Sequence, residues 1–203
     1  MNRPLALLPY LLLLALVAGG ALWHLGDLRA QTGVQSLSTG EAVTLGGPFA
    51  LTDQNGMLRT EKDYRGKYML VFFGYTYCPD VCPTTLAVMS AALKKMGGRA
   101  DHIAPLFITV DPKRDTPEKL KSYLASFGPR IVGLTGSPKD IATVAKEYRV
   151  YYKEHPAENG GEYTVDHSGV VYLMDPNGAF LANYSLETSP DSMAADLLKK
   201  TVR

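Results

Sequence analysis

The chain has 203 residues, a formal net charge of +1 and two cysteines. That length suits one globular domain plus a short appendage. A near-zero charge without a long basic run leaves nucleic-acid binding no electrostatic footprint, and two cysteines make no disulfide scaffold.

The first element expected is a membrane helix. Pro4 to Trp23 is an almost unbroken apolar run, and about 20 apolar residues suffice to cross a bilayer. Arg3 precedes it, which favours a cytoplasmic N-terminus and an extracytoplasmic remainder. A cleaved signal peptide is the competing reading, with Ala18 to Ala21 as small residues for a peptidase. Its apolar core is usually only about 7–15 residues, so the run favours an uncleaved anchor. Leu25 to Val43 is mixed in character and reads as a tether. The expected organisation is an anchor over 1–24, a tether over 25–45 and a folded domain over 46–203.

Within the domain, Phe49–Asp53 and Met57–Thr60 predict a hairpin, with Asn55-Gly56 as a two-residue turn. Tyr68 to Phe73 (YMLVFF) is a continuous apolar run, as expected of a strand buried on both faces. Pro83 to Met96 has helical spacing and ends at Gly97-Gly98. Pro105 to Val110 predicts a second buried strand. Asp115 or Thr116 can cap a helix running to Phe127, with Pro117 in its first turn. A short strand over Ile131–Leu134 and a helix from Ser137-Pro138 to about Tyr148 follow. The polar stretch Tyr151 to Gly161 reads as an exposed loop. Val170–Met174, a turn at Asp175–Gly178 and Phe180–Tyr184 predict a second hairpin, and Ser189-Pro190-Asp191 opens the last helix. Strands alternating with helices and ending on a hairpin predict an α/β domain of thioredoxin-like fold. Its mixed central sheet is flanked by helices and carries an extra N-terminal hairpin.

Both cysteines follow the first buried strand, in Tyr75-Thr76-Tyr77-Cys78-Pro79-Asp80-Val81-Cys82-Pro83. Cys78 falls in the strand-to-helix loop and Cys82 in the first helical turn, so both sulfurs can face one side. The positive end of the helix favours thiolate there. Thiolate attacks disulfides and also binds soft metals, so both chemistries stay open. The plainer alternative, a pair of small core cysteines, fits poorly with Pro79, Asp80 and Pro83, which mark a loop and a helix start. An open Cys2His zinc site is a further alternative.

Of the four histidines, His24 flanks the membrane run, while His102 and His155 read as surface loop residues. His167 lies in Asp166-His167-Ser168-Gly169, just before the strand VVYLM. In a thioredoxin-like sheet this loop faces the cysteine-bearing helix start, and thioredoxins carry a proline there. Two thiolates and one imidazole form a soft set that suits Cu(I), and with an added ligand Cu(II). A plain loop histidine bonded to Asp166 or to backbone is the alternative.

Three stretches together resemble the Sco/SenC family of copper proteins that assemble cytochrome c oxidase. They are FFGYTYCPDVCP at 72–83, TVDPKRDTPEKLKSY at 109–123 and DHSGVVYLMDPNG at 166–178. The resemblance implies one copper ion per chain, as Cu(I) or Cu(II), on Cys78, Cys82 and His167. It implies delivery to the binuclear copper site of oxidase subunit II and reduction of that subunit's cysteines by a redox-active Cys78–Cys82 pair. Other copper chaperones and thiol reductants are further partners on this reading, and the location is the inner (cytoplasmic) membrane, single-pass, with the domain in the periplasm or extracytoplasmic space. Asp111 matches a recurrent family acid and is expected to support structure or a ligand. The alternatives are an extracytoplasmic thiol–disulfide oxidoreductase, against which the absent proline counts, and a copper or redox sensor. A peroxidase is disfavoured because Thr76 stands two residues, not three, before Cys78.

Overall fold

The computed structural model describes residues 44–157 and 161–201. The expected anchor and most of the expected tether lie outside the described residues. Among the described residues no helix is long and apolar enough to cross a membrane.

Nine strands and four α-helices are seen among these residues. A seven-stranded sheet is built from β1 (Ala50–Asp53), β2 (Leu58–Thr60), β3 (Tyr68–Gly74), β4 (Ile103–Thr109), β5 (Val132–Thr135), β8 (Val171–Met174) and β9 (Phe180–Tyr184), in the order β2-β1-β5-β4-β3-β8-β9. β4 pairs in parallel with β3 and β5, and the remaining pairs are antiparallel. The sheet is therefore mixed, with the extra hairpin on one edge, as the sequence predicts. β3 and β4 are central and buried on both faces, which is why their sequences are continuous apolar runs rather than alternating ones. Phe72 meets Phe107 and, through it, Tyr123 on one face. Phe73 meets Tyr148 and Tyr172 on the other.

The helices are α1 (Val81–Met96), α2 (Pro117–Leu124), α3 (Pro138–Glu147) and α4 (Pro190–Thr201). Thr116 caps α2 by accepting from the Lys119 N–H, and Ser137 caps α3 within a capping box closed by Asp140. α2 ends at Leu124 and continues as a 3-10 turn through Phe127. α1 and α4 pack together. α1 begins at Val81, two residues before the expected Pro83.

Two expectations need correction. The first hairpin does not turn on Asn55-Gly56. The Gly56 N–H donates to the Asp53 carbonyl, so Gln54 and Asn55 are the central residues and only Gly56 takes a positive φ, 79°. The Asp53 carboxylate accepts from the N–H groups of Asn55 and Met57 and shifts the turn back by one residue. The stretch from Tyr151 onward, expected to be loop, contains β6 (Tyr152–His155), paired antiparallel with β7 (Thr164–His167) as a separate two-stranded ribbon. Its sequence hides the strand because the ribbon stands largely in solvent: apart from Val165 its residues are exposed or half-buried.

Candidate metal centre

The centre is assembled where three segments meet at the end of β3. Gly74 closes that strand, and Tyr75 to Asp80 carry the chain into α1. Gly74 is required sterically: a Cβ there would lie 2.7 Å from Cys82 Sγ and 2.8 Å from Phe107 Cε2. Its absence lets the first turn of α1 rest directly on the strand end. Cys82 is fully buried and Cys78 half-buried, and both are free thiols.

Asp115 fixes the cysteine loop from beneath. This buried carboxylate accepts from the Thr76 N–H at 3.0 Å, the Thr76 hydroxyl at 2.6 Å and the Thr109 hydroxyl at 2.6 Å. Burial pushes its carboxyl above the ordinary range, while these hydrogen bonds favour the ionised form. The cap of α2 is therefore Thr116, and Asp115 instead ties the loop to the end of β4. Nothing in the sequence marks this role, because Thr76 and Asp115 are 39 residues apart.

His167 comes from the last position of β7, a strand position rather than the expected loop. Its ring stands edge-on to Phe72 at 6.0 Å and perpendicular to Tyr75 at 5.8 Å between centroids. Nδ1 lies 3.3 Å from the Ser168 carbonyl oxygen. A carbonyl can only accept, so with its proton on Nδ1 the ring donates to Ser168 and turns Nε2 toward the cysteines as a metal ligand. Nε2 lies 3.3 Å from Cys82 Sγ. The two sulfurs and one imidazole nitrogen lie within 4.8 Å of one another.

The two thiols are electrostatically unequal. Cys78 is pulled down to about 4, first by a hydrogen bond from the Cys82 thiol, then by the N–H groups of Asp80 and Cys82, with burial opposing. Cys82 is pushed up by the neighbouring Cys78 thiolate and by its own burial. Cys78 is therefore the half-buried thiolate and Cys82 the fully buried proton holder. A cation that displaces the Cys82 proton meets two thiolates and an imidazole lone pair. This donor set suits a soft monovalent ion such as Cu(I), and with a further ligand Cu(II). The three residues are placed to hold a metal ion.

His102 and His155 stand apart from this cluster. His102 is exposed at the end of the Gly97–His102 3-10 turn. His155 belongs to β6, not to a loop, and its Nε2 lies 2.9 Å from Asp166 Oδ2. His24 lies outside the described residues. Asp111 is buried and accepts from the Arg114 guanidinium and from the Tyr163 hydroxyl, the latter at 2.7 Å, so it braces the surroundings of the centre.

The family model described as SCO1/SenC matches residues 38–202. The human mitochondrial protein SCO1 homolog is 41% identical over 155 residues, covering 75% of this chain and 52% of the relative, so the chain spans about half the length of that protein. The structure of Bradyrhizobium japonicum ScoI with copper bound is 51% identical, with a TM-score of 0.72, covering 78% of this chain and 99% of that one. Arabidopsis thaliana ScoI with copper bound is 42% identical, with a TM-score of 0.72, covering 76% and 96%.

Proposed function

The chain belongs to the SCO1/SenC family, and on that premise we propose that it carries one copper ion on Cys78, Cys82 and His167 and delivers it to the binuclear copper site of cytochrome c oxidase subunit II. The observation that carries this reading is the convergence of two cysteine sulfurs and a His167 ring nitrogen within 4.8 Å, combined with copper in two related structures of the same fold.

Copper is cargo on this reading. Cys78, half-buried and already thiolate at neutral pH, is the group a partner meets first. Cys82 and His167 hold the ion from the buried side. A partner offering more ligands takes it by exchange, and the Cys82 sulfur recovers its proton. Residues 1–24 anchor the chain, 25–45 tether it, and 46–203 work on the extracytoplasmic side of the inner membrane. The apolar run from Pro4 to Trp23 supports this arrangement.

A second reading is favoured by the unequal acidity of the pair. The Cys78 thiolate attacks a disulfide of the partner, forming a mixed disulfide and releasing one partner thiolate. Cys82, once deprotonated, attacks the Cys78 sulfur and releases the second. The partner's disulfide gains two electrons from the pair, one proton from Cys82 and a second from water, and Cys78 and Cys82 are left as a disulfide. Both activities serve one purpose, since oxidised cysteines cannot take up copper.

The test is anaerobic transfer from the copper-loaded full-length chain to a metal-free, reduced subunit II copper domain. Copper is expected to appear on the acceptor. Copper that stays with the donor while the acceptor site is free rules out delivery. With an oxidised acceptor, loss of its disulfide at the expense of the Cys78–Cys82 dithiol supports the second activity.

A further inference from the structure

The ribbon that carries His167 is not hydrogen-bonded into the seven-stranded sheet. Its C-terminal end is tied by the short link into β8. Its N-terminal end is joined to α3 through residues 148–151 and its Val165 N–H donates to the Tyr75 hydroxyl, but several of the side chains that hold it over the cysteine loop belong to one segment, Asp111-Pro112-Lys113-Arg114-Asp115, in which the copper-binding reading leaves Arg114 without a role.

Arg114 is central to that segment. Its Nη1 donates to the Tyr163 carbonyl oxygen at 2.9 Å, on the residue preceding β7. Its guanidinium carbon lies 3.6 Å from the Tyr163 ring centroid and 4.7 Å from that of Tyr77, the residue before Cys78. It also lies 5.8 Å from Tyr75, whose ring abuts His167. Nε is held by the buried Asp111 carboxylate, which accepts from the Tyr163 hydroxyl as well. One planar cation is thus clamped between the cysteine loop and the histidine ribbon. The neighbours act in the same direction: Lys113 donates to both carboxylate oxygens of Glu154 on β6, and Asp115 holds Thr76.

We propose that Arg114 is a positioning residue for the metal centre, a clamp that sets the distance between His167 and the two cysteines by stacking on Tyr163 and Tyr77. The proposal rests on the three-ligand reading above. Guanidinium suits this place because it is flat, permanently charged and able to stack and hydrogen-bond at once, whereas a lysine ammonium carries charge without the plane or the fork.

The test is a double-mutant cycle on Cu(II) affinity of the full-length chain, with Arg114→Met, His167→Ala and the pair. Arg114→Met is expected to weaken binding about 10–100-fold, the range found when a group supporting a metal ligand is removed. In the His167→Ala background the same change is expected to cost nothing further, because it acts through His167. The thiolate-to-Cu(II) absorption of Arg114→Met should shift toward that of His167→Ala, while disulfide formation between Cys78 and Cys82 stays at the wild-type rate. Arg114→Lys should restore binding only in part. Undiminished affinity in Arg114→Met, or an equal loss with and without His167, overturns the clamp alone. Undiminished affinity in His167→Ala overturns the ligand set and the clamp with it. Should Arg114→Met not fold, Tyr163→Phe removes the hydroxyl bond to Asp111 but keeps the ring. It is expected to weaken binding only when His167 is present, and equal loss without His167 overturns the clamp.

Discussion

Cys82 Sγ and His167 Nε2 lie 3.3 Å apart although 85 residues separate them in the chain. Each is brought there by a different device. The cysteine sits on a helix turn that a glycine allows to rest on the sheet. The histidine sits at the end of a ribbon, its ring flanked edge-on by Phe72 and Tyr75. Their meeting is what turns a short cysteine motif into a three-donor centre.

The thiol asymmetry predicts how the free protein reacts. Cys78 is held at about 4 and Cys82 is pushed up. A lowered thiol pKa means the thiolate persists as pH falls, until pH nears the lowered value. Iodoacetamide should therefore alkylate Cys78 at pH 6 almost as completely as at pH 8, while Cys82 stays unmodified at both. Mass mapping of the labelled peptides checks this. Labelling of Cys78 that collapses between pH 8 and pH 6 would mean that its thiol is ordinary.

Gly74→Ala should damage the centre without touching a ligand. The added methyl carbon would lie 2.7 Å from Cys82 Sγ and 2.8 Å from Phe107, so helix or ring must shift. Overpacking of this kind costs about 1–3 kcal/mol. Denaturant unfolding should show that loss, and copper affinity should fall with it. Gly98, whose Cβ would meet nothing, is the control position.

Asp115→Ala should loosen the cysteine loop. It strands the Thr76 N–H and the hydroxyls of Thr76 and Thr109, which now bond to the carboxylate. Leaving buried donors unpaired costs about 1–3 kcal/mol each, and hydroxyls that find other acceptors lower the total to about 3 kcal/mol. Unfolding and amide exchange at Thr76 measure the two effects. Wild-type stability would show that Asp115 carries no load.

The sequence made the sheet centre legible because β3 and β4 are buried on both faces and so read as unbroken apolar runs. The helix starts at Thr116 and Ser137 were legible because capping is a local affair. The cysteines announced themselves by their place between strand and helix. The β6–β7 ribbon did not, because Lys153, Glu154, His155 and Asp166 carry the composition of a loop and only Val165 packs inward. Asp115 and Arg114 were invisible for another reason. Their partners Thr76 and Tyr163 stand 39 and 49 residues away, and nothing local distinguishes a pinning carboxylate from a helix cap. The first turn was placed one residue late because the Asp53 side chain, not the Asn55-Gly56 pair, decides where the backbone reverses.

The most direct measurement is copper stoichiometry of the full-length chain, reduced and loaded without oxygen, beside His167→Ala and Cys78→Ser. One copper per wild-type chain is expected, greatly weakened in His167→Ala and absent in Cys78→Ser, with the Cys78–Cys82 disulfide still forming in the histidine variant. Copper held undiminished by His167→Ala, or none held by the wild type while its disulfide exchange runs fast, would contradict the three-donor centre.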